Sequence, residues 1–152
     1  YKLAEQYQKP VAIHMGATAG SEGGLKYSHP LTLDETASRF PHVSFVICHL
    51  GNPWIVDAAA VMDKNPNVSA DLSGLLEGKQ DMDQYLAEKS GYLEHIRTWL
   101  QYLDSYDRLL YGTDWPLAHE EDTIRLVQAL VPERHWEKVF YENARRIYPL
   151  PL

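Results

Sequence analysis

Cysteine is almost missing from this chain: of 152 residues only Cys48 carries a thiol. No internal disulfide can form, and a single thiol inside an apolar run fits a reducing compartment, which points to the cytoplasm. Long hydrophobic runs are missing too. No eighteen successive residues are apolar, so no membrane-spanning helix and no membrane partner are expected. Basic side chains are in deficit, with 14 Lys and Arg against 21 Asp and Glu and a formal net charge of −7. That sign argues against nucleic acid as a partner, and the ten tyrosines lack the basic interleaving of a base-stacking platform. Gly16, Gly20, Gly23 and Gly24 do not fall into dinucleotide-binding spacing, and the GxxxxGK phosphate loop is absent. No methionine opens the chain and no signal-peptide pattern follows. The first ten residues, YKLAEQYQKP, read as the closing turns of a helix stopped by Pro10, so a piece of a longer polypeptide is expected.

What is present is ordinary globular material, 45% hydrophobic and 23% charged, enough for one domain over residues 1–152 with its own core. A strand-like run followed by a helical one occurs four times. The strands are expected at 11–15, 43–49, 68–71 and 109–111, and the first two are nearly continuous apolar runs that call for burial on both faces. Thr32 with Glu35 three residues on suggests a capping box opening a short helix that Pro41 ends. Asn52-Pro53 suggests an N-cap with proline at the first helical position, launching a helix through Met62. Over Gln84–Tyr106 the stripe Leu93, Ile96, Leu100 and Leu103 marks a long helix with a break at Gly91. Ile124, Val127 and Val131 mark the next helical face, and Trp136, Val139, Phe140, Ala144 and Ile147 the last. Asn67-Val68-Ser69 has the form of a glycosylation triplet, but its valine leads into a strand. Four β-α units in series give an α/β fold with a parallel sheet. It is either half of a (β/α)₈ barrel or an open doubly wound sheet complete in itself.

Three polar residues share one topological address. His14, His49 and Asp114 each stand at or just beyond the carboxyl end of an expected strand, the edge at which parallel α/β proteins bind ligands. Two imidazoles and a carboxylate there are suited to a divalent transition metal, with zinc the first choice.

The segments VAIHMG, VICHLGNPW, SADLSG, LLYGTDWP and ENARRIY, taken in order, resemble the C-terminal half of an amidohydrolase-2 family protein, a family of metal-dependent barrel hydrolases and decarboxylases. The resemblance spans essentially the whole chain and implies barrel strands five to eight. It implies that His14 ligates a divalent metal and that Asp114 is both ligand and proton acceptor for an attacking water. His49 falls on the family's strand-six histidine, which ligates a second metal in binuclear members, or handles the water or polarises the substrate in single-metal ones. The family's His-x-His pair from the first strand does not occur here. Half a barrel leaves two open sheet edges and an apolar flank, to be covered by the missing N-terminal half, a second chain or a homo-oligomeric contact. The activity implied is hydrolysis of an amide, ester or lactone of a small molecule, with non-oxidative decarboxylation of an unsaturated or aromatic acid as the alternative within the fold. The chain on its own is expected to be inactive. A non-catalytic binding or assembly module stands as the alternative outside enzymology.

Four further residues are candidates for a substrate pocket: Trp54 at the mouth of the second β-α unit, Asp71 at the end of the third strand, His29 in the long first loop, and Trp115 beside Asp114. His119 is a candidate helix cap or neighbour of the site, whereas His42, His95 and His135 read as structural or surface residues.

Overall fold

A computed structural model describes residues 1–148. Four parallel strands, β1 (Val11–His14), β2 (Phe45–Cys48), β3 (Val68–Asp71) and β4 (Leu109–Leu110), lie side by side in the order of the chain. A doubly wound sheet reverses its strand order at a switch point. Here each strand simply adds beside the last, which is the order of a barrel arc and overturns the open-sheet alternative. Between the strands run α1 (Lys2–Gln6, before β1), α2 (Asp34–Arg39), α3 (Ile55–Lys64), α4 (Met82–Glu88), α5 (Ser90–Tyr102), α6 (Glu120–Leu130) and α7 (Asn143–Ile147). None of these is long and apolar enough to cross a membrane.

α3, α5 and α6 cover one face of the sheet. Phe45, Ile47, Val68, Ala70 and Leu109 point into a core with Ile55, Ala58 and Met62 of α3, Leu93, Ile96 and Leu100 of α5, and Leu126, Val127 and Leu130 of α6. The spacing of these positions is the 3.6-residue stripe of a helix packed on a sheet. The buried face of α6 is Thr123, Leu126, Val127 and Leu130, turned from the expected Ile124, Val127 and Val131 stripe; Ile124 is half-buried and Val131 lies just past the helix end. The other face of the sheet carries a small cluster of Val46, Leu110 and Ile147, with Ala144 and Tyr148 against it. β2 is buried on both faces as expected, but β1 alternates, with Ala12 and His14 exposed. A continuous apolar run on an edge strand has a covering layer on one side only.

Local chemistry moved several boundaries. Thr32 does not cap α2; its hydroxyl donates to the His29 carbonyl, and a 3₁₀ turn over Pro30–Leu33 runs straight into the helix. Asn52 does not cap α3, which starts at Ile55 after Trp54. The break in the long fourth segment falls at Lys89, with Gly91 in the first turn of α5. Asp81 caps α4 by accepting from the amides of Asp83 and Gln84, and that side chain fixes the start two residues earlier than the apolar stripe indicates. The last segment passes through a π-helical turn, Lys138–Glu142, before α7.

This last segment is tied to β4 by a few hydrogen bonds. The Tyr111 amide donates to the Val139 carbonyl at 2.8 Å, and the buried Asn143 amide donates to Tyr106 and Leu109 carbonyls at 2.7 and 2.8 Å. Both β1 and β4 have a single strand neighbour, so both expected open edges are present. The side chain of Asn67 donates to the carbonyls of Ala37, Phe40 and Val43, a structural use of the triplet's asparagine.

Candidate active site

The carboxyl ends of the strands gather the residues of interest on the face away from α3, α5 and α6. His14 is opposite Cys48 in the β1–β2 register, and one step beyond the Ile47–Ala70 pair Asp71 follows on β3. Alternation along parallel strands puts these three side chains on one face. His49 follows β2 directly, with φ +61°, and Leu50 after it has φ +49°. Left-handed backbone at two successive non-glycine residues costs energy that the surroundings must offset. Asp71 does so, because one of its oxygens, Oδ1, accepts from the His49 amide at 2.9 Å.

The same oxygen organises the following turn. It accepts from the Ser73 amide at 3.1 Å and from the Ser73 hydroxyl at 2.5 Å. Ser73 Oγ is in turn 2.8 Å from His49 Nδ1. Gly74 completes the seat, with φ +61° and no side chain; a Cβ there would meet His49 Nδ1 at 2.5 Å. The His49 ring is therefore wedged between a hydroxyl and a bare backbone. Against its other surroundings stands His14, ring centroid 5.0 Å away and edge-on at 62°. His14 Nε2 is 3.0 Å from the Ala17 carbonyl oxygen.

Asp114 lies in the turn after β4 with φ +64°, exposed, and its carbonyl accepts from the Leu117 amide at 2.9 Å. Its charge reaches the same region. Burial pushes the Cys48 thiol up to about 12, and the negative charges of Asp71 and Asp114 add to the shift. The Tyr148 phenol is likewise raised, first by burial and then by Asp71 and Cys48. The charges of Asp71 and Asp114 thus both bear on Cys48 at the end of β2. Imidazole and carboxylate are the right donors for zinc. In number they fall short, since among the described residues no three His, Cys, Asp or Glu side chains gather closely enough to hold a metal ion.

The other candidates fall into two groups. The His29 and Trp54 rings lie tilted at 46° with centroids 4.7 Å apart beside α3, with His29 Nε2 3.7 Å from Asp57 and its Nδ1 accepting from the Leu31 amide at 3.3 Å. Both are half-buried, and their contacts hold the first long loop against the second β-α unit. Trp115 is 78% exposed and borders a cleft of about 480 Å³ with Gly78, Lys79, Leu117, His119 and Glu121. His119 begins α6 without a side-chain cap and lies 3.2 Å from Asp122. Asp122 accepts from the Gln80 amide, which ties the third loop to the fourth. Asp71 thus caps the Ser73-Gly74 turn, the second of the two readings its strand-end place allows. The Asp-x-Ser spacing at a strand end signals an Asx-type turn, but only the fold shows which histidine that turn receives.

A family model described as amidohydrolase matches residues 1–150. The search of curated proteins found no match. Among solved structures, an uncharacterized TIM-barrel protein from Bordetella bronchiseptica is similar at 23% identity and TM-score 0.69, over 97% of this chain and 48% of that one. An amidohydrolase from Burkholderia multivorans with bound zinc is similar at 24% identity and TM-score 0.59, over 80% of this chain and 49% of its own. A 5-carboxyvanillate decarboxylase from Sphingomonas paucimobilis gives 15% identity and TM-score 0.60, over 99% and 52%. The chain spans about half the length of the structures that it matches.

Proposed function

The chain belongs to the amidohydrolase family, and on that premise we propose that it is the C-terminal half of a metal-dependent barrel hydrolase acting on an amide, ester or lactone of a small molecule. The observation that carries this reading is the pair His14 and His49, ring centroids 5.0 Å apart at adjacent strand ends, with Asp71 bonded to the His49 amide. His14 and Asp114 would hold the ion together with donors from the missing half, and zinc is favoured by the zinc-bound Burkholderia relative. Such an ion acidifies water and polarises a carbonyl. Asp114, exposed at its turn, takes the proton of the attacking water and returns it to the leaving group. His49, seated by Ser73, stands beside the reacting centre. Trp115 and Trp54 offer apolar walls for the substrate, and Asp71 acts on His49 and not on the substrate.

The unpaired β1 edge and the exposed Ala12 and His14 face support completion by an N-terminal half. Activity therefore belongs to the complete barrel. The likeness to a decarboxylase over 99% of this chain favours decarboxylation as the second reading. The experiment is metal analysis of the full-length protein followed by assay of amides, esters, lactones and unsaturated carboxylic acids, before and after chelation and return of zinc. One divalent ion per barrel and zinc-restored hydrolysis are expected, with the ion lost in His14→Ala and Asp114→Ala. Release of carbon dioxide without hydrolysis would transfer the proposal to the decarboxylase. A metal-free, inert protein would leave a binding or assembly module.

A further inference from the structure

The seat of His49 does more than hold a ring. A carboxylate is an acceptor only, and a serine hydroxyl has a single proton to give. Of the two contacts of Ser73 Oγ, that to Asp71 Oδ1 is the shorter, 2.5 Å against 2.8 Å to His49 Nδ1, within the range of a charge-assisted O–H to O⁻ bond. The serine proton therefore belongs to Asp71, and Oγ is left to accept. Its partner, His49 Nδ1, must then be the protonated nitrogen. Among the described residues Nε2 of His49 makes no hydrogen bond to protein, so its lone pair is free. Two further features have the same sense. Asp71 Oδ1 is already the acceptor for the His49 and Ser73 amides, which locks the carboxylate in place, and Gly74, lacking a Cβ, leaves free the space that His49 Nδ1 occupies.

We propose that Asp71 and Ser73 form a positioning relay that fixes neutral His49 as the Nδ1–H tautomer and leaves its Nε2 unprotonated. This rests on the hydrolase reading for its use but not for its existence. It makes His49 a lone-pair donor, that is, a proton acceptor or ligand. It excludes neutral His49 as a hydrogen-bond donor to a developing oxyanion. Ser73 and Asp71 are positioning residues, since each acts through the imidazole.

The test is long-range ¹H–¹⁵N correlation NMR on the histidine-labelled, metal-free full-length protein above about pH 8, where imidazoles are neutral. The His49 signals are assigned by their loss in His49→Gln. The unsubstituted protein is expected to show the Nδ1–H pattern, Ser73→Thr to keep it, and Ser73→Ala to lose it in favour of the Nε2–H form or a mixture. An Nε2–H pattern in the unsubstituted protein overturns the relay, as does an unchanged Nδ1–H pattern in folded Ser73→Ala. Should Ser73→Ala not fold, the unsubstituted protein and Ser73→Thr decide the matter. No substrate or metal enters the measurement. An Nδ1–H tautomer in an inert protein would thus refute the hydrolase alone, and an Nε2–H tautomer in an active one would refute the relay alone.

Discussion

His49 and Asp114, the two residues with most to do in the proposed chemistry, both sit in left-handed backbone, where a side chain carries a cost of about 1–3 kcal/mol. Gly74, also left-handed, carries none, and its missing Cβ is the space into which His49 fits. Gly74→Ala therefore meets two penalties, a disfavoured φ and a 2.5 Å clash with an imidazole that hydrogen bonds hold in place. A loss of more than about 1 kcal/mol is expected, read by denaturant melts, with the Ser73–His49 bond weakened in the folded fraction. An unchanged midpoint would mean that the ring is not held where the structure puts it. Cys48 offers a second measurement. Its thiol, raised from 9.0 to about 12 by burial and by the charges of Asp71 and Asp114, has about a thousandth of the ordinary thiolate fraction at pH 8. Iodoacetamide should modify it about that much more slowly than a free thiol, the rate climbing with pH past 9 where an ordinary thiol levels off. Fast alkylation at pH 8 would show the pocket to be open and its carboxylates distant. The strand-end positions of His14 and His49 were legible in the sequence because a strand that runs into a glycine or turn announces its own end. That Asp71 reaches back to His49 was not, because the two are 22 residues apart and meet only through the parallel register.

At the scale of elements, apolar periodicity located every strand and most helical faces, because burial against a sheet leaves a repeating mark. Helix ends were read less well. Capping is settled by one hydrogen bond, and several side chains within a few residues compete for it: His29 against Thr32 before α2, Asp81 ahead of Gln84 before α4. The π-helical turn was not legible either. Its effect is to bring the Val139 carbonyl to the Tyr111 amide and to aim Asn143 at β4, contacts that sequence periodicity does not contain. Asn143 is 3% exposed and satisfies two carbonyls at once, Leu109 in β4 and Tyr106 in the turn before it. Asn143→Ala leaves both without that donor and is expected to cost about 1–3 kcal/mol, with a midpoint shift at constant m-value in urea. A change below about 0.5 kcal/mol would show that the last helix reaches β4 through its apolar contacts alone. Because Ile147 packs on Val46 and Leu110, loosening this helix should also raise the exposure of the face that bears the site.

The whole molecule is asymmetric in a way that its parts explain. One face of the sheet is covered by α3, α5 and α6 and the last segment bonds to β4, whereas β1 offers an unpaired edge beside Ala12 and His14. Val11 donates to Ser44 across the β1–β2 pair, and alternate residues of a parallel strand direct their amides to opposite sides. The amides of Ala12 and His14 therefore face the free edge. A polar backbone edge next to an apolar flank is a template for another strand, and in a closed barrel that strand comes from the other half. Hydrogen exchange separates the two situations. In the 152-residue chain the Ala12 and His14 amides should exchange at rates close to those of open peptide, while Phe45, Val46 and Ile47 of β2 are slowed by their neighbours on both sides. In the full-length protein the same two amides should slow by at least about a hundredfold, a free energy of about 2.7 kcal/mol for opening that edge (1.36 kcal/mol per factor of ten). Equal exchange in the two forms would mean that no strand pairs with β1, and the metal donors sought from the missing half would then have no route to His14.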